Sequence, residues 1–123
     1  MREKTREQLI AEQRAAAPAW SEGVLGLWAD AHLRLSPQAA AFDPTTDVDW
    51  EAVLPRIACP ALLVAADPER GGMINAESAA VFRSFVPQLR VVQIEGSGHC
   101  VRYEQFGRYM DIVRGFLAGV TAV

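Results

Sequence analysis

The residues that most constrain the fold are 61–66, Ala-Leu-Leu-Val-Ala-Ala, a continuous apolar run introduced by Cys59-Pro60 and ended by Asp67-Pro68. Its length and its proline brackets predict a strand buried on both faces, because a strand with one solvated face would alternate apolar and polar residues. Strands of that kind lie in parallel sheets covered by helices. A second short strand is predicted over Arg90 to Ile94. Between them, Asn75 can cap a helix that carries Ala79, Phe82, Phe85 and Val86 and is broken by Pro87. Strand, helix, strand is one βαβ unit with a right-handed crossover expected, so the fold class is α/β.

The flanking segments read as helices. The first sixteen or so residues form a charged helix with an apolar patch at Leu9, Ile10 and Ala11, ending where Pro18 forbids continuation. Ser21 can cap a second helix, whose Val24, Leu27, Trp28, Ala31 and Leu35 follow helical spacing until Ser36 and Pro37 stop it. From Gln38 to Thr46 the composition reads as a connector, after which Asp47 or Asp49 opens a short helix through Trp50 and Val53. The domain boundary is therefore expected near residue 46, with helices and connector over 1–46 and the α/β portion over 47–123. The loop Glu95-Gly96-Ser97-Gly98-His99 leads to a final helix with an apolar stripe of Phe106, Tyr109, Met110, Val113, Phe116, Leu117 and Val120.

Half of the 123 residues are hydrophobic, enough for one domain core, and the net charge of −3 is interspersed, with no basic stripe to neutralise a phosphate backbone. Nucleic acid is not an expected partner. No apolar stretch is long enough for a signal peptide or a membrane span, so a cytoplasmic location is expected. Cys59 and Cys100 belong to no ligand-spaced pattern and are expected as buried, reduced thiols, with no metal and no cofactor.

Two strands are too few for a stable sheet, and the helices carry apolar stripes that two strands cannot cover. More sheet is expected from a second copy of the chain, from a complementary polypeptide, or from sequence lost by truncation.

The segment from Ile57 to Gly72, followed by Val91-Val92-Gln93-Ile94-Glu95-Gly96-Ser97-Gly98-His99, resembles the last two core strands of the α/β-hydrolases, and the resemblance extends over roughly residues 47–120. In that family the penultimate strand ends in the loop that bears the catalytic acid, and the last leads to a glycine-histidine pair that bears the base. The order acid, about thirty residues, histidine matches the family's chain order. The resemblance implies a partial α/β-hydrolase-type parallel sheet and a parent activity of cofactor-free hydrolysis of ester, carbon-carbon, carbon-halogen or related bonds through a covalent intermediate.

It implies that His99 is the general base, with Gly98 allowing the tight turn that aims the ring. A carboxylate would fix the imidazole tautomer and stabilise the imidazolium. The competing reading of His99 is an ordinary loop histidine. Glu69 is preferred as the acid over Asp67, because family loops place the acid three residues after a strand-end glycine, a position held here by Ala66. Asp67 would otherwise cap the turn before Pro68.

The nucleophile is absent: no Gly-x-Nuc-x-Gly elbow occurs in the sequence. Ser97 between two glycines reads as a turn residue, Cys100 beside His99 as a structural thiol, and His32 as a surface or lid histidine. Trp20 and Trp28 resemble the aromatic wall of a hydrolase lid, though their helical spacing fits core packing better. The expected function is a C-terminal hydrolase portion, inactive alone, that acts on a small molecule once completed. The alternative is a non-catalytic module for self-association or partner binding, and a homo-oligomer, most simply a dimer, is expected in either case.

Overall fold

The computed structural model describes residues 4–36, 38–39 and 48–121. The chain divides into two compact units, Met1–Thr46 and Asp47–Val123. Most of the expected connector, together with Asp47 and Pro37, lies outside the described residues.

The first unit contains α1 (Arg6–Ala16) and α2 (Glu22–Leu33). Thr5 caps α1 through a capping box with Gln8, and Ser21 accepts a hydrogen bond from the Val24 amide at 3.3 Å to cap α2. Arg6 at the start of α1 pairs with Asp30 near the end of α2, Nε to Oδ1 at 2.6 Å, while Arg14 grips Glu22 at 2.7 Å. First turn to last turn at both ends, these pairs fix the two helices as antiparallel neighbours. Both are solvent-exposed, so they set register more than they add stability.

The apolar face of α2 is not the one its periodicity suggests. Leu25 and Ala29 are fully buried, Val24 and Trp28 are only half-buried, and Leu27 is 74% exposed. The reason is the neighbour: α1 packs on the 25/29 side and buries its own Leu9, and the long helix surface can satisfy only one partner. Leu35 lies beyond the helix and is exposed.

The second unit has α/β architecture. In chain order it comprises α3 (Trp50–Val53) with a 3-10 turn at Leu54–Arg56, β1 (Ala61–Ala66), a 3-10 turn at Pro68–Arg70, α4 (Ala76–Phe85), β2 (Leu89–Ile94), α5 (Val101–Glu104) and α6 (Phe106–Thr121). Asp49 caps α3 by accepting from the Ala52 amide at 3.1 Å, and Asn75 caps α4 in a reciprocal box with Ser78. Strands β1 and β2 pair in parallel, in register from Ala61 opposite Leu89 to Ala66 opposite Ile94. This is a two-stranded parallel sheet with helices, consistent with part of an α/β-hydrolase sheet.

The strand ends are tied at both extremities. Before the strands, the Gln88 side-chain amide donates to the carbonyls of Ile57 at 2.6 Å and Cys59 at 3.0 Å. Beyond them, the Asp67 amide donates to the Ser97 carbonyl at 3.1 Å. The core collects at this carboxyl end, where Ala66, Ile94 and Val101 are buried and Val64, Tyr109 and Ile112 pack around them.

Three expectations are corrected here. Only Ala65 and Ala66 of β1 are buried, and residues 61–64 are half-buried, since among the described residues the sheet has two strands and β1 keeps one edge unpaired. The final helix is two helices, interrupted at Gln105 (φ −130°, ψ 47°), and no residue of α6 is fully buried. Cys59 is exposed and Cys100 half-buried, both as free thiols, because Cys59 precedes the strand where the core has not begun.

Ile94 has no exposed surface and lies at the centre of the sheet's core. Ile94→Ala is expected to lower the unfolding free energy by roughly 2–5 kcal/mol, as buried large-to-small changes do. Thermal and urea unfolding followed by circular dichroism measures it, and a loss under about 1 kcal/mol would contradict this core assignment.

Candidate functional site

Parallel pairing sends the chain out of both strands at the same end of the sheet. The loop after β1 carries Asp67 and Glu69, and the loop after β2 carries Gly96, Ser97, Gly98 and His99. In open α/β sheets this end is where ligands bind.

The acid loop is built by Asp67 and two glycines. Asp67 accepts from the Glu69 amide through Oδ1 at 3.0 Å, and its carbonyl accepts from the amides of Arg70 at 3.0 Å and Gly72 at 2.9 Å. The 3-10 turn Pro68–Arg70 ends on Gly71 in the left-handed region at φ 89°. The chain then folds back so closely that a Cβ on Gly72 would lie 2.6 Å from the Ala66 carbonyl oxygen and 2.8 Å from the Ala66 carbonyl carbon. Those are backbone atoms, which cannot swing aside.

The histidine loop turns at Gly96, whose φ of 75° only glycine adopts without strain, rather than at Gly98. Ser97 is completely buried, and its hydroxyl donates to the Ile94 carbonyl at 2.7 Å. That bond closes the turn and withdraws the hydroxyl from any substrate, so Ser97 is a turn residue. The Gly98 amide donates to Glu104 Oε2 at 2.7 Å, linking the loop to α5. This role of Glu104 was not read from the sequence; the only available signal was an acid five residues beyond the histidine.

The two loops are joined directly by Asp67, whose Oδ2 accepts from the Gly96 amide at 2.8 Å. The Gly96 amide, then the Glu69 amide and the nearby Arg70 charge hold the Asp67 carboxyl below its ordinary value.

His99 and Glu69 are both exposed. Among the described residues no hydrogen bond or ion pair links His99 to Glu69 or to Asp67. Glu69, expected within hydrogen-bond reach of His99 or a little beyond it, makes no bond to it and opens onto a shallow cavity of about 540 Å³ that it shares with Asp67, Pro68, Gln93 and Glu95. No group of three or more His, Cys, Asp or Glu side chains arranged to hold a metal is found among the described residues. Likewise, no helix among them is long and apolar enough to cross a membrane.

In the first unit, Trp20 is buried and meets the half-buried Trp28 edge-to-face, with ring centroids 6.4 Å apart. His32 lies over Trp28 at 5.0 Å. These rings form one aromatic cluster within the helical pair.

The site thus presents an imidazole and carboxylates at the carboxyl end of a parallel α/β sheet, in a sequence with no Gly-x-Nuc-x-Gly elbow. Over 108 residues the chain is 31% identical to N-formylmaleamate deformylase of Pseudomonas putida (strain KT2440), a match covering 86% of this chain. The chain spans 40% of the length of that curated relative. The likeness supports a hydrolase-type parent class. No family model matches the chain, and no solved structure matches it.

Gly72→Ala is expected to destabilise the protein by about 1–3 kcal/mol, since the new methyl forces the acid loop off the end of β1. Chemical unfolding of the variant beside the parent protein checks this, and equal midpoints would mean that the loop does not approach the strand so closely.

Proposed function

We propose that this chain is the C-terminal, acid- and histidine-bearing portion of an α/β-hydrolase, inactive by itself. What carries the proposal is that the loops after two parallel, in-register strands emerge at one end of the sheet and are bonded to each other, with His99 on one and Glu69 on the other. The order of these residues along the chain and the likeness to a deformylase support the same reading.

In the completed protein His99 is the general base. It takes the proton of a nucleophile supplied by a complementary segment and returns it to the leaving group. Glu69 is the carboxylate that orients the ring and stabilises the imidazolium, for which its exposed side chain needs only a rotamer change. Asp67, already committed to two amides, is the weaker candidate. By extension from the relative's name, the substrate class is a small N-formyl compound. The nucleophile attacks the formyl carbon, the nitrogen leaves with the proton from His99, and water releases the formyl group from the nucleophile. No cofactor is required by this chemistry.

A chain with a base and an acid but neither nucleophile nor oxyanion donors lacks most of the catalytic machinery. The purified chain is expected to give no turnover of nitrophenyl esters or of N-formyl amides. Turnover removed by His99→Ala and absent from a mock preparation would overturn the proposal.

One observation favours a second reading, self-association. Trp50 and Val81 are each about half exposed, with Leu117 similar, and Phe106 is 63% exposed, around a sheet of only two strands. Apolar groups and open strand edges of this kind are adhesive. A symmetric dimer is expected, and light scattering that returns the mass of one chain, with unfolding independent of protein concentration, would remove it.

A further inference from the structure

We infer that the Asp67 side chain is a positioning clasp, which holds the histidine loop against the acid loop and so fixes where His99 can point. The inference deepens the proposed hydrolase reading and rests on it only for the role given to His99.

The geometry is that of a short carboxylate held by one backbone amide on each oxygen. Oδ1 takes the Glu69 amide of its own loop at 3.0 Å, and Oδ2 takes the Gly96 amide of the other loop at 2.8 Å. The Asp67 backbone adds a second link between the loops, its amide donating to the Ser97 carbonyl at 3.1 Å. Gly96 has a left-handed φ of 75° and Ser97 is locked to Ile94, so the segment that launches Gly98 and His99 is fixed on one side by the core and on the other by Asp67. Rotating the Asp67 carboxylate out of this position would break both amide bonds and leave two donors without these acceptors. Glu69, by contrast, has no side-chain hydrogen bond among the described residues.

Asparagine cannot replace this group, since it offers one acceptor oxygen and presents an NH₂ to the other amide. The charged groups near the clasp are Arg70, which favours the carboxylate, and Glu69 and Glu95, which share its cavity. A carboxyl whose folded value lies below its unfolded value stabilises the fold above the unfolded value, and that stability is lost as pH falls through the folded one. The clasp therefore opens only in acid, below about pH 4.

The test is amide NMR on the whole chain. In the unaltered protein the Gly96 and Glu69 amide protons are expected to titrate together, with a midpoint below the ordinary aspartate value of about 3.9. In Asp67→Asn the Gly96 amide should exchange about tenfold faster or more while the β1–β2 ladder keeps its protection, and the His99 ring resonances should move. Equal loss of protection across the ladder would mean a general structural role and would overturn the clasp. A Gly96 amide that does not titrate would overturn it as well, and that measurement stands even if Asp67→Asn fails to fold. Glu69→Gln separates the two ideas: it should leave the Gly96 titration unchanged whether or not Glu69 is the acid of the completed hydrolase, because only its backbone amide reaches Asp67, and a Gly96 amide that stops titrating in it would overturn the clasp.

Discussion

Everything in the second unit depends on the parallel pairing of β1 with β2. Parallel ladders need a crossover between their strands, and the capped helix α4 supplies it while burying Ala79. Register is then held from both ends, by the Gln88 side chain reaching the carbonyls of Ile57 and Cys59 and by Asp67 reaching Gly96. Because a one-residue slip in a sheet turns every side chain to the other face, these two ties keep Ala66 and Ile94 in the core and both loops at a common level.

The chemistry that this arrangement allows is limited by what faces solvent. The buried Ser97 hydroxyl is consumed by the Ile94 carbonyl, and the Asp67 carboxylate by two amides, so neither is free to react. His99 and Glu69 remain exposed on neighbouring loops. An exposed imidazole is a poor base until a partner excludes water and fixes its orientation, since catalysis draws on preorganised groups in a dry site. The chain is 31% identical to a deformylase and spans 40% of its length.

One buried cluster, Ala66, Ile94 and Val101, lies at the carboxyl end of the two strands, Leu54, Ala79 and Val86 are buried elsewhere in the unit, and the long helix α6 presents no fully buried side chain despite its apolar stripe. A two-stranded sheet is marginal in water, so its open edges and the half-buried stripe of α6 limit the apolar burial that the described residues contribute.

Much of this was legible from local chemistry. The bounds of β1 follow from its proline brackets, the starts of α2, α3 and α4 from Ser21, Asp49 and Asn75 as caps, and the parallel α/β class from an apolar run without alternation. These features were readable because each is decided by a few neighbouring residues: a missing amide, a side chain that caps, a period. What tertiary structure alone decided depends on partners distant in the chain. Periodicity in α2 pointed to Leu27, but the packing of α1 selected Leu25 and Ala29. The sequence placed the tight turn of the histidine loop at Gly98, and only the turn over Ile94 assigned the left-handed backbone to Gly96. The sequence marked Asp67 and Glu69 as rival acids, but their difference became visible only when a crossover brought Gly96 to 2.8 Å from one of them, because a hydrogen bond between residues 29 apart is a property of the packed sheet and not of either loop.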